Sequence, residues 1–68
     1  MQVVVNGEPR ELASGTTVAG VLASIPGTPE GRGVAVALEG EVVPRGQWQR
    51  TKLTEGAHVE IVVAVQGG

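Results

Sequence analysis

The sequence predicts an α+β domain in which one helix packs on one face of a mixed sheet of four to five strands. Three observations support this. Thirteen of the 68 residues are valine, and a branched Cβ suits a pleated strand better than a helix. One segment, near residues 14–27, spaces its apolar residues at helical period. The other apolar runs are short and separated by Gly, Pro and Asn, which mark strand ends and turns.

The elements follow in order. "QVVVNGEPREL" reads as a hairpin, because Asn6-Gly7 accepts the positive φ angles of a tight turn. Pro9 has no N–H to give a ladder and so confines the second strand to an edge. In "SGTTVAGVLASIPG", Val18, Val21, Leu22 and Ile25 fall on one helical face; Thr16 or Thr17 can cap the start, and Pro26-Gly27 ends it. "GTPEGRG" is a mobile loop by composition. "VAVAL" is a strand, Glu39-Gly40 a turn, and "EVV" a short strand closed by Pro44. "RGQWQRTKLTEGA" is mostly loop, and "HVEIVVAV" a long last strand. The order is β-β-α-β-β-β. The first and last strands are the most continuously apolar and are expected side by side at the sheet centre. That is a β-grasp, or ubiquitin-like, arrangement.

Strand alternation then sorts the two faces. Val59, Ile61, Val63 and Val65 share one face, and Val3 and Val5 oppose Val4. With the odd-numbered set under the helix, Val4, Ala35, Ala37, Val62 and Ala64 are left on the open face. An uncovered apolar patch of this kind is a candidate partner surface.

Composition excludes several functions. The net charge is −2, the five Lys and Arg form no dense patch, and Trp48 is the single aromatic residue. Binding to nucleic acid through charge and stacking is not expected. No apolar run approaches the roughly 20 residues of a membrane span, and "MQVVVNGEPR" lacks the form of a signal peptide. The expectation is one cytoplasmic domain over residues 1–68 with a flexible C-terminal tail at 66–68. With no Cys, the chain has neither a disulfide framework nor a Cys-based metal or iron–sulfur site.

Catalysis by side chains is equally hard to build. There is no Cys, Asp or Tyr, and His58 is the single histidine, so a nucleophile with an adjacent base has no parts. Glu39 and Glu41 flank a turn, where solvated carboxylates are ordinary. "GTPEGRG" lacks the Gly-Lys-Ser/Thr ending of a phosphate-binding loop. One reactive group remains, the carboxylate of Gly68. It needs activation by a partner enzyme, and Gln66 and Gly67 would thread its channel, since glycine takes any backbone angle. Taken alone, the dipeptide is better read as a frayed end.

The whole chain adds to that reading. "TTVAGVLAS", "VAVALEGEVVPRGQW" and "LTEGAHVEIVVAVQGG" together resemble the sulfur-carrier proteins of thiamine thiazole synthesis, the ThiS family. "EVVPRGQW", Glu41 to Trp48, ahead of a terminal Gly-Gly is the most specific part. The family often has Asn-Gly where this chain has Glu39-Gly40, and Gly-Asp at Gly56-Ala57; both lie in turns. The resemblance implies that an E1-like adenylating enzyme activates Gly68 with Mg-ATP. A sulfur donor, such as a cysteine desulfurase, then converts Gly68 to a thiocarboxylate, which gives its sulfur to thiazole synthase. The carrier itself would bind no cofactor or metal, act as no enzyme, and be a monomer when free. The alternatives are a sister carrier for molybdopterin or cysteine synthesis, a ubiquitin-like modifier, or a plain interaction module in which Gly68 is dispensable. Trp48 either docks a partner or, the better reading, caps the core with its ring N–H on a backbone carbonyl. Arg45 meets a partner's acids or solvates a turn.

Overall fold

The computed structural model describes residues 1–25 and 33–63. Its strands are β1 (Gln2–Val5), β2 (Glu8–Glu11), β3 (Val34–Leu38), β4 (Glu41–Val42) and β5 (His58–Val63), with helix α1 (Val18–Ala23) between β2 and β3. They form one mixed sheet in the order β2-β1-β5-β3-β4. β1 runs parallel to β5 and antiparallel to β2, and β3 is antiparallel to both β5 and β4. The first and last strands therefore lie side by side, with β5 in the middle.

Two turns set the hairpin registers. Asn6 and Gly7 have φ of 50° and 82°, and Glu39 and Gly40 have φ of 50° and 83°. Both are two-residue loops with positive φ at each central position, which matches the twist of the flanking strands. Glutamate is an unusual occupant of this region, and its surroundings hold it there. The Glu39 N–H donates to the His58 carbonyl at 2.9 Å, and its Oε2 accepts from the His58 N–H at 2.7 Å. On the other side, Val4 and Asn6 donate their N–H groups to Ala57 and Val59, at 2.8 and 2.9 Å. Even-numbered residues of β1 thus turn their N–H groups to β5. Pro9, opposite Val4, turns its donorless nitrogen to the outer edge.

The core lies between the sheet and α1. Val3, Val5, Val36, Val59 and Ile61 from the sheet pack in one cluster with Val18, Val21 and Leu22 from the helix. Val43, Trp48, Leu53 and Ala57 from the long connection complete it. The odd-numbered face of β1 and β5 is thus the covered one. Val63 shares that face but is 48% exposed at the end of its strand, since α1 has only six residues, about 9 Å of helix. Val65, predicted for the same face, lies outside the described residues.

A six-residue helix is marginal alone, and its first turn is held from outside. Thr17 is the N-cap, its Oγ1 accepting from the Gly20 N–H. The Val18 and Ala19 N–H groups donate to the Thr51 and Trp48 carbonyls, at 2.9 and 3.1 Å. The Leu53 N–H returns a bond to the Thr16 carbonyl at 2.9 Å. These bonds fasten the 45–53 segment, read from sequence as mostly loop, to the helix start. It contains a 3-10 turn over Arg45–Gln47. Trp48 is buried within it, and its indole N–H donates to the Val43 carbonyl at 2.8 Å. The packing reading of Trp48 is the observed one. Ser24 caps α1 at its C-terminal end, so the helix stops ahead of Pro26-Gly27. That dipeptide and most of the "GTPEGRG" loop lie outside the described residues.

Two substitutions test this scaffold. Trp48→Phe leaves a buried carbonyl unpaired and should cost about 1–3 kcal/mol. Thr17→Ala should cost about 1 kcal/mol through the lost cap. Urea unfolding followed by far-ultraviolet circular dichroism measures both.

Candidate functional site

The face of the sheet opposite α1 is the candidate site, and strand register assembles it. Ala35 pairs with Val62 and Ala37 with Glu60 across β3 and β5. Val4 pairs with His58 across β1 and β5, and Ala37 pairs with Val42 across β3 and β4. Directly paired residues share a face. Val4, Ala35, Ala37 and Val62 therefore stand on one surface, as alternation predicts. Val62 is 64% exposed, Ala35 is exposed, and Val4 and Ala37 are half-buried. Ala64 lies outside the described residues, as do Gln66, Gly67 and Gly68.

Sequence reasoning missed one member. Val42 is 74% exposed and belongs with Ala37 on the open face. The signal was available: a two-residue turn at Glu39-Gly40 sets Leu38 opposite Glu41 and hence Ala37 opposite Val42. Val42 and Val62 are its most exposed members; Glu60, opposite Ala37, lies within the patch, and His58, opposite Val4, stands next to it on β5.

Among the described residues, the polar groups near this face are few and solvated. His58 Nδ1 lies 3.8 Å from Glu39 Oε2, with both side chains mostly in solvent. Among the described residues, no three or more His, Cys, Asp or Glu come together as a metal site would require. The Nε of Arg10 is buried without a hydrogen-bond partner; Arg10 pairs with Val3 on the covered face, away from the patch. The Arg45 guanidinium lies 5.6 Å from the Trp48 ring centroid, within cation–π range. Among the described residues, no helix is long and apolar enough to cross a membrane.

The comparisons with known proteins fit this geometry. The model of the ThiS family matches residues 3–68. The chain belongs to the ThiS family. A crystal structure of the thiamine biosynthesis protein ThiS from Geobacter metallireducens superposes with a TM-score of 0.81 at 31% identity, covering all of both proteins. A solution structure of a thiamine biosynthesis protein from the same organism gives a TM-score of 0.80 at 30% identity, covering all of this chain and 88% of that one. Two longer relatives are named thiazole synthase: one from Paramagnetospirillum magneticum, 32% identical over 68 residues, and one from Magnetococcus marinus, 37% identical over 68 residues. This chain spans 20% of each. The β-grasp sheet with one helix is thus the ThiS family's architecture.

The two faces differ energetically, and substitution should reveal it. Val42→Ser and Val62→Ser should change stability by about 0.5 kcal/mol or less. Val36→Ser, one residue from Ala35 but on the covered face, should cost about 2–4 kcal/mol. Thermal unfolding of the three variants checks the assignment; equal losses would mean that the open face is not open.

Proposed function

We propose that this chain is a sulfur carrier of thiamine biosynthesis, a cytoplasmic protein co-substrate rather than an enzyme. The observation that carries this reading is the family match, which extends through Gly68. The chemistry follows from the terminal carboxylate. A carboxylate oxygen attacks the α-phosphorus of ATP on an E1-like adenylating enzyme, releasing pyrophosphate and leaving an acyl-adenylate. A sulfur nucleophile from a cysteine desulfurase or related donor attacks the acyl carbon and AMP departs. Where that nucleophile is a persulfide, the product is an acyl disulfide, which a second thiol reduces, freeing the thiocarboxylate and forming a disulfide with the donor cysteine. The thiocarboxylate then passes its sulfur to thiazole synthase. Nucleotide and magnesium belong to the adenylating partner, and the carrier holds neither. The relatives named thiazole synthase, which match this whole chain within a longer protein, support that partner.

The open face supports the same reading. An enzyme acting on the last residue must hold the folded domain while the tail enters its active site, with Gln66 and Gly67 threading the passage. Val62, on the strand that leads into the tail, and Val42, two strands away across β3, provide an apolar surface for that grip, with Ala35 and Ala37 on the strand between them and Val4 farther out on β1. Such a surface suits successive, short-lived encounters by a carrier that is a monomer between them.

The test uses the intact protein with soluble extract, Mg-ATP and cysteine, followed by intact mass before and after thiol alkylation. With no Cys in the sequence, an alkylated, ATP-dependent product reports the thiocarboxylate. It should vanish on deletion of Gly68. Val62→Glu should slow its formation about tenfold or more while leaving the melting temperature unchanged, as loss of an interface anchor would. No labelled product, with the adenylating enzyme active on another carrier, would make the glycine tail an ordinary frayed end.

A further inference from the structure

Asn6 does more than turn the first hairpin. β1 ends at Val5, opposite Val59, while β5 continues to Val63. This leaves Ile61 facing the β1 side with no strand opposite it. The Asn6 side chain fills that place. Its Oδ1 accepts from the Ile61 N–H at 2.7 Å, and its Nδ2 donates to the Ile61 carbonyl at 3.1 Å. One amide group therefore extends the parallel ladder by a residue, on the strand that leads into the tail.

The same residue is followed by glycine. We propose that Asn6 is a deamidation site that the fold holds shut, with its amide clamp on Ile61 as the latch. The reaction needs only water. The Gly7 backbone nitrogen loses its proton and bonds to Asn6 Cγ; the Cγ–Nδ2 bond breaks and ammonia leaves, closing a five-membered imide. Water then opens the imide at either carbonyl, giving aspartate or isoaspartate at position 6, with no change of oxidation state.

Two features of the turn favour this chemistry once the latch opens. Glycine offers no side chain to hinder the attacking nitrogen, and the space where a Cβ would stand has no atom within 4 Å. Asn6 itself is exposed. Opposing it, both polar atoms of the amide are bonded to Ile61, so Cγ cannot swing toward the Gly7 nitrogen until β5 parts from the hairpin. Modification would also weaken the latch itself. Aspartate replaces the donor facing the Ile61 carbonyl with a negative oxygen, and isoaspartate adds a backbone methylene to a two-residue turn. Either product loosens the end of β5.

Asn6 is the single asparagine among the 68 residues, so peptide mapping with fragmentation to place the mass change at position 6, and chromatographic separation of the two isomers, reads the reaction. The intact protein is held at neutral pH, folded or in urea, and aspartate and isoaspartate at position 6 are followed over time. Deamidation should be about thirtyfold slower in the folded protein, the factor that two net hydrogen bonds impose on local opening. A synthetic protein with an ester oxygen in place of the Ile61 N–H, its folding checked by Trp48 fluorescence, should deamidate about fivefold faster than the native one. In the folded Asn6→Asp variant, hydrogen exchange at the Ile61 amide should be about tenfold faster. Equal rates in the folded and urea-unfolded protein would overturn the proposal. So would an ester analogue that deamidates no faster than the native protein.

Discussion

Strand β5 is held along both edges, and the rest of the fold is arranged around that pairing. β3 pairs with it antiparallel from Val34 to Leu38, and β1 pairs with it in parallel at Val4 and Val5. Asn6 continues the second edge to Ile61. A parallel pair cannot be closed by a short turn, so all the intervening sequence must cross over between β1 and β5. Helix α1, the central hairpin and the long connection all belong to that crossover. Any change that frees β5 therefore removes the common neighbour of two hairpins.

The covered face of β5 is closed partly by α1 and partly by the connection before β5. A six-residue helix supplies three buried side chains, too few to shield five strands. Val43, Trp48, Leu53 and Ala57 extend the cluster, and the backbone bonds from Val18, Ala19 and Leu53 lock this segment to the helix. Trp48 serves both purposes, filling volume and satisfying the Val43 carbonyl. The most distinctive stretch of the sequence, "EVVPRGQW", thus has a structural explanation through Val43 and Trp48. It also places Val42 on the other face.

That division of labour fits a protein handled by others. The buried apolar cluster lies on the side of α1, and the opposite face of the sheet carries the exposed Val42 and Val62. The exposed valines stand on β4 and β5, and β5 runs directly into the residues that end in Gly-Gly. A partner seated on this surface would rest on the strand whose sequence continues toward Gly68.

Much of this was legible along the sequence. Asn6-Gly7 and Glu39-Gly40 mark their turns by residue type, because few residues tolerate positive φ. Helical spacing from Val18 to Leu22 and alternation from Val59 to Val62 identify the buried faces, because both periods are geometric properties of the backbone. Other features depend on neighbours distant in sequence. Val42 joins the open face only because the β3–β4 register sets it beside Ala37. Glu39 is held at positive φ by His58, nineteen residues away, and the Asn6 amide finds its partner fifty-five residues on. Local sequence by itself determined the elements, the faces and the resemblance to a carrier family, since each follows from steric and periodic rules acting over a few residues. Only the tertiary structure decided which polar groups meet, because a hydrogen bond across the sheet depends on register, and register exists only once the strands are paired.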